Sequence, residues 1–135
     1  MAKFPTQEWL DAFQDKLNND AHYAQVARNW EGDMRFVVEP GGPLETPIWA
    51  YMDLWHGKCR AAYFEDPNGA SNKPAFVLQS PYGNMVKILR GELDPMQAML
   101  TRKLSVQGNL AIMMRSVPTV LDFVRCGREI TDSVL

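Results

Sequence analysis

The hydrophobic pattern of the chain begins with two predicted helices. In the first, apolar residues recur on one face behind an N-cap candidate, Thr6: they are Leu10, Phe13 and Leu17. The run NND at 18–20 interrupts this repeat. Asp20 then predicts the cap of a second helix that extends to about Asn29.

The period then falls to two residues, which predicts three strands in sequence. The first strand, DMRFVVE (33–39), places on one face Met34, Phe36 and Val38. The second, IWAYMDLW (48–55), has one face with Ile48, Ala50, Met52 and Leu54, and another with Trp49, Tyr51, Asp53 and Trp55. A tight turn at 56–57 predicts an antiparallel hairpin with the third strand, KCRAAYFE (58–65). Strict alternation there groups Cys59 with Ala61 and Tyr63, and Arg60 with Ala62 and Phe64.

The second half combines two further strands with three helical segments. After the polar loop 66–74, AFVLQ (75–79) predicts a strand, and Ser80 and Pro81 open a helix that Gly91 ends. Asp94 and Pro95 begin the next helix. KLSVQ (103–107) predicts a fifth strand, and a last helix runs from Pro118 to Gly127. The order predicts an α+β fold, with a five-stranded, mostly antiparallel sheet and helices packed on one face.

Composition narrows the class of protein. The chain has 135 residues, which is enough for a single domain over 1–135. Its net charge is −2, and it has no stripe of basic residues. This charge argues against a nucleic-acid partner and predicts at most transient contact with a membrane. No apolar stretch reaches the ~18 residues of a membrane-spanning helix, and MAKFPTQEW does not resemble a signal peptide. Two cysteines form no disulfide framework, so a cytoplasmic location is expected. No phosphate-binding loop or cofactor motif is present, and no cofactor is expected.

The second half also resembles a known family. It contains a helix that ends in Gly, a Leu-Asp-Pro linker and a Lys-Leu-x-Val-x-Gly-Asn turn, and in this order the three motifs resemble the sterol carrier protein type 2 family. The matching residues are Gly91, Leu93, Asp94, Pro95, Ala98, Lys103, Leu104, Val106, Gly108 and Asn109. The resemblance implies helices over one face of a five-stranded sheet. It also implies an apolar cavity between them that takes a sterol, a fatty acyl chain or a phospholipid.

Apolar side chains of these segments are the candidate lining of such a cavity. They are Phe36, Met85, Ile88, Leu89, Met99, Leu104, Val106, Met113, Met114, Leu121 and Phe123. Methionine adapts to irregular apolar partners, so this set is equally typical of a filled core. Polar candidates for orienting a ligand are Gln79, Gln107 and Asn109, although capping and edge hydrogen bonds account for them better.

The second strand is apolar on both faces, so its outer face needs a cover. Trp49, Tyr51 and Trp55 share that face. The protein's own N-terminal segment or loops are the first expectation, a homodimer through these three residues the second, and membrane contact the third.

Metal and catalytic motifs are weak. His56 and Cys59 are spaced like two ligands of a zinc site, which requires three or four ligands. The other candidates, His22 and Cys126, do not have the spacing of a second ligand pair, so no metal is expected. Cys59 lies between Lys58 and Arg60, which leaves open a small enzyme that acts through this thiol. No carboxylate pair indicates acid–base chemistry, because Asp94 already serves as a helix cap.

The preferred function is therefore a non-enzymatic, intracellular lipid-binding carrier. Its ligand is expected to enter when the terminal helix lifts. The alternative is an interaction or regulatory module with a filled core, which dimerises or binds a partner through its aromatic sheet face.

Overall fold

A computed structural model describes residues 2–135 as a main sheet, a small second sheet and six helices. The helices are α1 (Gln7–Asn19), α2 (Ala21–Val26), α3 (Tyr82–Leu89), α4 (Pro95–Leu100), α5 (Leu110–Arg115) and α6 (Val117–Glu129). The strands are β1 (Lys3–Phe4), β2 (Met34–Glu39), β3 (Ile48–Trp55), β4 (Lys58–Glu65), β5 (Phe76–Pro81), β6 (Ser105–Gln107) and β7 (Ser133–Val134). The main sheet has the order β4-β3-β2-β5-β6, and β2 with β5 is its one parallel pair. The α+β prediction with a mostly antiparallel five-stranded sheet is confirmed.

Side-chain caps fix the starts of several helices as the sequence predicts. Thr6 accepts a hydrogen bond from the Trp9 N–H, and Asp20 accepts one from the Tyr23 N–H. Asp94 caps α4, with Pro95 at its first position. The predicted extension of α2 to Asn29 is wrong, because the helix ends at Val26 and residues 27–29 form a turn.

The start of α3 differs from the prediction. Ser80 is not its cap: it belongs to β5, and its buried hydroxyl donates to the Lys103 carbonyl at 2.8 Å. Pro81 is the residue before the helix and makes no side-chain cap. Gly91, with φ +77°, follows the helix as predicted, since the left-handed region favours glycine.

A β-bulge changes which residues of β4 face the helices. Leu54 pairs with Cys59, but Met52 pairs with Ala62, so the register shifts between them. Cys59 is buried, and Phe64 faces the same interior while Tyr63 is exposed. The predicted strict alternation is therefore wrong, because an extra residue in one strand reverses the faces beyond it.

The last helix is central to the helical layer. α6 packs against all five other helices, and it continues past Gly127 to Glu129. The prediction that Gly127 ends it is wrong. A Cβ at this position would lie 3.2 Å from the Phe13 ring, so glycine allows the close approach of α1 and α6.

The two ends of the described chain form a small sheet that the sequence pattern did not reveal. β1 and β7 pair in parallel, with Lys3 opposite Ser133 and Phe4 opposite Val134. Asp132 also accepts a hydrogen bond from the Ala2 N–H at 2.9 Å. Two-residue strands are too short to show an alternating pattern.

Candidate functional site

An apolar cavity of about 100 Å³ lies between the main sheet and the helices. The sheet contributes the inner faces of β2 and β3, together with Phe64 of β4 and Leu78 of β5. All six helices contribute lining side chains from the opposite side. Every atom that faces the cavity is apolar.

The structure brings most of the predicted lining residues together around this cavity. Eight line it: Phe36, Met85, Ile88, Leu89, Met99, Leu104, Met113 and Phe123. Val106 and Met114 pack against the core outside the lining, and Leu121 is 42% exposed to solvent. Contact of any of these residues with a ligand stays a prediction.

An aromatic wall runs from the sheet to the first helix. The Phe123 ring stacks on Phe36 with centroids 5.7 Å apart and an angle of 8°. Phe13 lies 4.8 Å from Phe123, and Trp9 lies 5.2 Å from Phe13. Only Phe36 and Phe123 are parallel, and the other rings are tilted against their neighbours. All four rings line the cavity and form a continuous apolar wall along one side of it.

Sequence reasoning missed the contribution of the N-terminal segment to the lining. Phe4, Trp9, Phe13, Tyr23 and Trp30 all line the cavity. The apolar face of α1 was visible in the pattern, but nothing in its spacing distinguishes a helix that lines a cavity from one that fills a core. The indole N–H groups are satisfied elsewhere, with Trp9 donating to Thr131 at 2.7 Å and Trp30 to the Gly32 carbonyl at 2.8 Å.

The polar candidates lie away from the apolar lining. Asn109 caps α5 and accepts a hydrogen bond from the Ile112 N–H. Gln79 of β5 lies opposite Val37 and Ser105 in the sheet, and Gln107 of β6 lies opposite Val77. None of the three lines the cavity.

The outer face of the sheet is covered largely by the protein's own side chains and by the loop that follows β4. Arg35 lies 4.8 Å over the Trp49 ring and forms a bidentate pair with Glu65. Arg35 also donates to the carbonyl of Asn72 in that loop. Tyr51 is nearly buried and donates to Asp33 at 2.7 Å.

Trp55 is more exposed than Trp49 and Tyr51. Its side chain is 39% exposed, with the Arg60 guanidinium 4.9 Å over the ring. The use of Trp49, Tyr51 and Trp55 in a homodimer stays a prediction.

The two cysteines have properties of inert thiols. Both are free and buried, and burial raises the pKa of Cys59 to about 12 and that of Cys126 to about 11. His56 lies in the turn and contacts Glu31, with 2.6 Å between Nε2 and the carboxylate. A thiol with a raised pKa is a poor nucleophile near neutral pH, which disfavours an enzyme that acts through Cys59.

Thiol labelling gives a direct prediction. We expect native protein at about pH 8 to react with iodoacetamide at neither cysteine over minutes, because a pKa of about 12 at Cys59 leaves almost no thiolate. Mass spectrometry of peptides after quenching measures this, and the urea-unfolded protein is the control that should be labelled at both sites. Rapid labelling of native Cys59 alone would contradict the inert-thiol interpretation.

A polar cluster joins α6 to α1 and α2. Arg125 lies 2.6 Å from Asp20 and 2.7 Å from Asp122, and it also contacts Glu129. His22 contacts Asp122 at 2.8 Å. The side-chain atoms of Asp20, Asp122 and Cys126 that could coordinate a metal ion lie within 4.8 Å of one another. Both carboxylates already accept hydrogen bonds from the Arg125 guanidinium, which occupies the position that a cation would take.

These contacts lower the pKa values of the carboxyl groups. Hydrogen bonds from Arg125 and from the Tyr23 N–H lower the pKa of Asp20 well below its usual range. Burial raises the pKa of Asp122, but the hydrogen bonds from Arg125 and His22 outweigh it and lower the pKa overall. The hydrogen bond from Arg125 also lowers the pKa of Glu129.

The cluster therefore predicts acid sensitivity. Because the folded pKa values lie below the unfolded ones, the stabilisation is present above about pH 4 and is lost as the pH falls through the folded values. Arg125→Met should lower the free energy of unfolding at pH 7 by about 2 kcal/mol and reduce its dependence on pH between about 5 and 2. Urea unfolding at each pH measures both effects. Arg115→Met is the control, and equal pH dependence in all three proteins would contradict this role for Arg125.

The fold and the cavity define a class of α+β protein with an apolar cavity between a five-stranded sheet and a layer of helices. A model of the SCP-2 sterol transfer family matches residues 5–120, and the chain belongs to that family. This membership supports a lipid-binding function.

Solved structures agree with the assignment. A crystal structure of a sterol carrier protein 2 is 27% identical, with a TM-score of 0.82 over 92% of this chain and 96% of that one. A protein of Thermus thermophilus, whose description suggests a sterol carrier protein, is 26% identical, with a TM-score of 0.82 over 93% and 88%. A sterol carrier protein domain of Helicoverpa armigera shares the fold at 20% identity and a TM-score of 0.61, over 90% of this chain and 87% of that one. A search of curated proteins gives no match.

Proposed function

We propose that the chain acts as a single, non-enzymatic lipid-binding domain that carries a sterol, fatty acyl or phospholipid ligand. One observation supports this most strongly: every atom that faces the cavity is apolar. Such a wall accepts hydrocarbon and offers no partner for a buried polar group. The polar part of the ligand should therefore remain outside the cavity, at the protein surface.

The cavity requires some expansion to hold a whole lipid. Its volume of about 100 Å³ is small beside the roughly 300–1,000 Å³ of typical ligand sites. Met85, Met99 and Met113 line it, and the flexible thioether side chain adapts to new apolar neighbours with little strain. Burying ~300 Å² of ligand surface contributes about 7 kcal/mol before entropic costs. Micromolar affinity corresponds to about 8 kcal/mol after those costs, so a bound lipid must bury more than this area.

Ligand access is better assigned to the short helices than to the terminal one. The expectation that α6 lifts does not fit its contacts with the five other helices or its ion pairs through Arg125. α4 and α5 each have six residues, and Met99 and Met113 on these helices line the cavity. Opening either helix breaks fewer contacts, so we place the access route beside them.

Fluorescence provides the test of binding. Trp9 and Trp30 line the cavity, whereas Trp49 and Trp55 lie on the outer sheet face. Titration with cis-parinaric acid should give saturable energy transfer from tryptophan, and unlabelled fatty acid, sterol or phospholipid should reverse it. Trp9→Phe and Trp30→Phe should reduce the transfer more than Trp55→Phe. Absence of saturable transfer in the wild-type protein would overturn the proposal.

A cytoplasmic location is part of the proposal, and the two free, buried thiols support it. Among residues 2–135 the structure has no helix of the length and apolar character needed to cross a membrane.

A further inference from the structure

Residues 95–121 differ in charge from the rest of the chain. They include Arg102, Lys103 and Arg115 but no Asp or Glu, so this segment carries +3 in a chain of net charge −2. All three cationic side chains are exposed, and none forms an ion pair within residues 2–135. They are therefore available to an anionic partner.

The same segment exposes an unusual amount of aliphatic surface. Of the large apolar side chains exposed in the described chain, four belong to it: Leu100 (65%), Leu110 (48%), Ile112 (40%) and Leu121 (42%). They lie on α4, α5 and α6, and both shorter helices pack against α6. Aliphatic groups interspersed with cations are typical of surfaces that lie in the interface of an anionic membrane.

The inner side of this segment is part of the cavity wall. Met99, Leu104, Met113 and Val120 line the cavity from residues adjacent to the exposed ones. A surface that binds the outer side of α4 and α5 therefore lies one helix thickness, about 10 Å, from the cavity.

We propose that this segment is a docking face for anionic phospholipid bilayers. The docking face comprises Leu100, Arg102, Lys103, Leu110, Ile112, Arg115 and Leu121. The aliphatic side chains enter the headgroup region, and the cations contact lipid phosphates. Docking requires no ligand in the cavity, so this inference goes beyond the proposed function and can fail independently of it.

Charge favours a bilayer over a second copy of the chain. In a two-fold symmetric contact the same patch meets itself, so each copy would oppose its three unpaired cations to three like charges. An anionic bilayer instead supplies opposite charge over the whole face.

Vesicle flotation tests the docking face with ligand-free protein. Wild-type protein should float with phosphatidylcholine vesicles that contain about 30 mol % phosphatidylglycerol and remain unbound with phosphatidylcholine alone. Binding should weaken as salt rises from about 50 to about 500 mM, because the attraction to headgroups is screened.

Paired variants separate the docking face from the general charge of the protein. R102E/K103E should reduce the partition coefficient at least about tenfold, since each cation near the surface contributes about a fivefold factor. K73E/K87E changes the net charge equally at exposed positions outside the segment and should bind within about twofold of wild type. L110D/I112D should lower binding about tenfold, and Leu135→Asp, at another exposed leucine, should not.

Three results would overturn the proposal. They are absence of wild-type flotation, equal losses in R102E/K103E and K73E/K87E, and a concentration-dependent dimer that R102E/K103E or L110D/I112D abolishes. The last result would assign the face to a second copy of the chain. Because parinarate binding is measured without vesicles, failure of docking and failure of ligand binding are distinguishable.

Discussion

Ala50→Phe should weaken lipid binding about 70-fold. Ala50 lies on β3, is 7% exposed and lines the cavity, so a benzyl group there would occupy the space that the ligand needs. A ligand that loses ~100 Å² of apolar contact loses about 2.5 kcal/mol of binding free energy. Displacement of cis-parinaric acid by fatty acid measures the change in Kd.

The matched control is Val37→Phe. Val37 is equally buried and lies on the neighbouring strand, where it pairs with Trp49 on the opposite face of the sheet. It does not line the cavity, so Val37→Phe should change stability without changing the affinity of the folded protein. Unchanged affinity in Ala50→Phe, with native circular dichroism, would place the ligand outside this cavity.

Glu65→Ala should destabilise the fold by about 3 to 5 kcal/mol. The Glu65 and Arg35 side chains are 3% and 11% exposed, and the carboxylate accepts two hydrogen bonds from the guanidinium, at 2.7 and 3.0 Å. Removal of one partner leaves a largely buried charge unpaired, which is the main source of the loss. Urea unfolding at pH 7 measures the change.

The double variant Arg35→Met/Glu65→Leu separates charge pairing from packing. Apolar residues of similar size leave no buried charge, so the double variant should recover most of the stability lost in Glu65→Ala. A further loss in the double variant would show instead that Arg35 stabilises the outer face mainly through Trp49 and Asn72.

The stability difference between wild type and Glu65→Ala should also depend on pH. The hydrogen bond from Arg35 lowers the pKa of Glu65 in the folded protein. The stabilisation is therefore present above about pH 4.3 and is lost as the pH falls through the lower folded value. The difference between wild type and Glu65→Ala should accordingly shrink in acid.

Local chemistry allowed much of the fold to be predicted from sequence. Asp20 and Asp94 are caps because a short carboxylate reaches the free N–H groups of a first turn. The alternation in β2 and β3 requires only that one face be buried. These signals lie within a few residues of each other, so the sequence alone carries them.

Features that depend on tertiary contacts were not predictable. The bulge in β4 depends on pairing with β3, and Gly127 suits the interior of α6 only because Phe13 lies against it. The pairing of β1 with β7 joins residues at the two ends of the chain. None of these partners is adjacent in sequence.

In the candidate site, too, local sequence indicates the apolar character of the residues but tertiary contacts decide where they lie. The apolar character of Met99 and Met113 was evident, but whether they fill a core or border a cavity depends on how α4 and α5 pack over the sheet. The structure places both at the cavity, whereas Met114 packs beside it. Trp9 and Trp30 were missed because their position depends on the folded N-terminal segment.

Mass spectrometry of the purified protein tests the central claim most directly. Native spectra after incubation with fatty acid, sterol or phospholipid should show a one-to-one complex with at least one class, which Ala50→Phe should largely abolish. Denaturation and organic extraction should then release that lipid intact, as expected for a non-enzymatic carrier. A ligand-free mass after incubation with all three classes would contradict the account and show that the side chains around the cavity form a closed core.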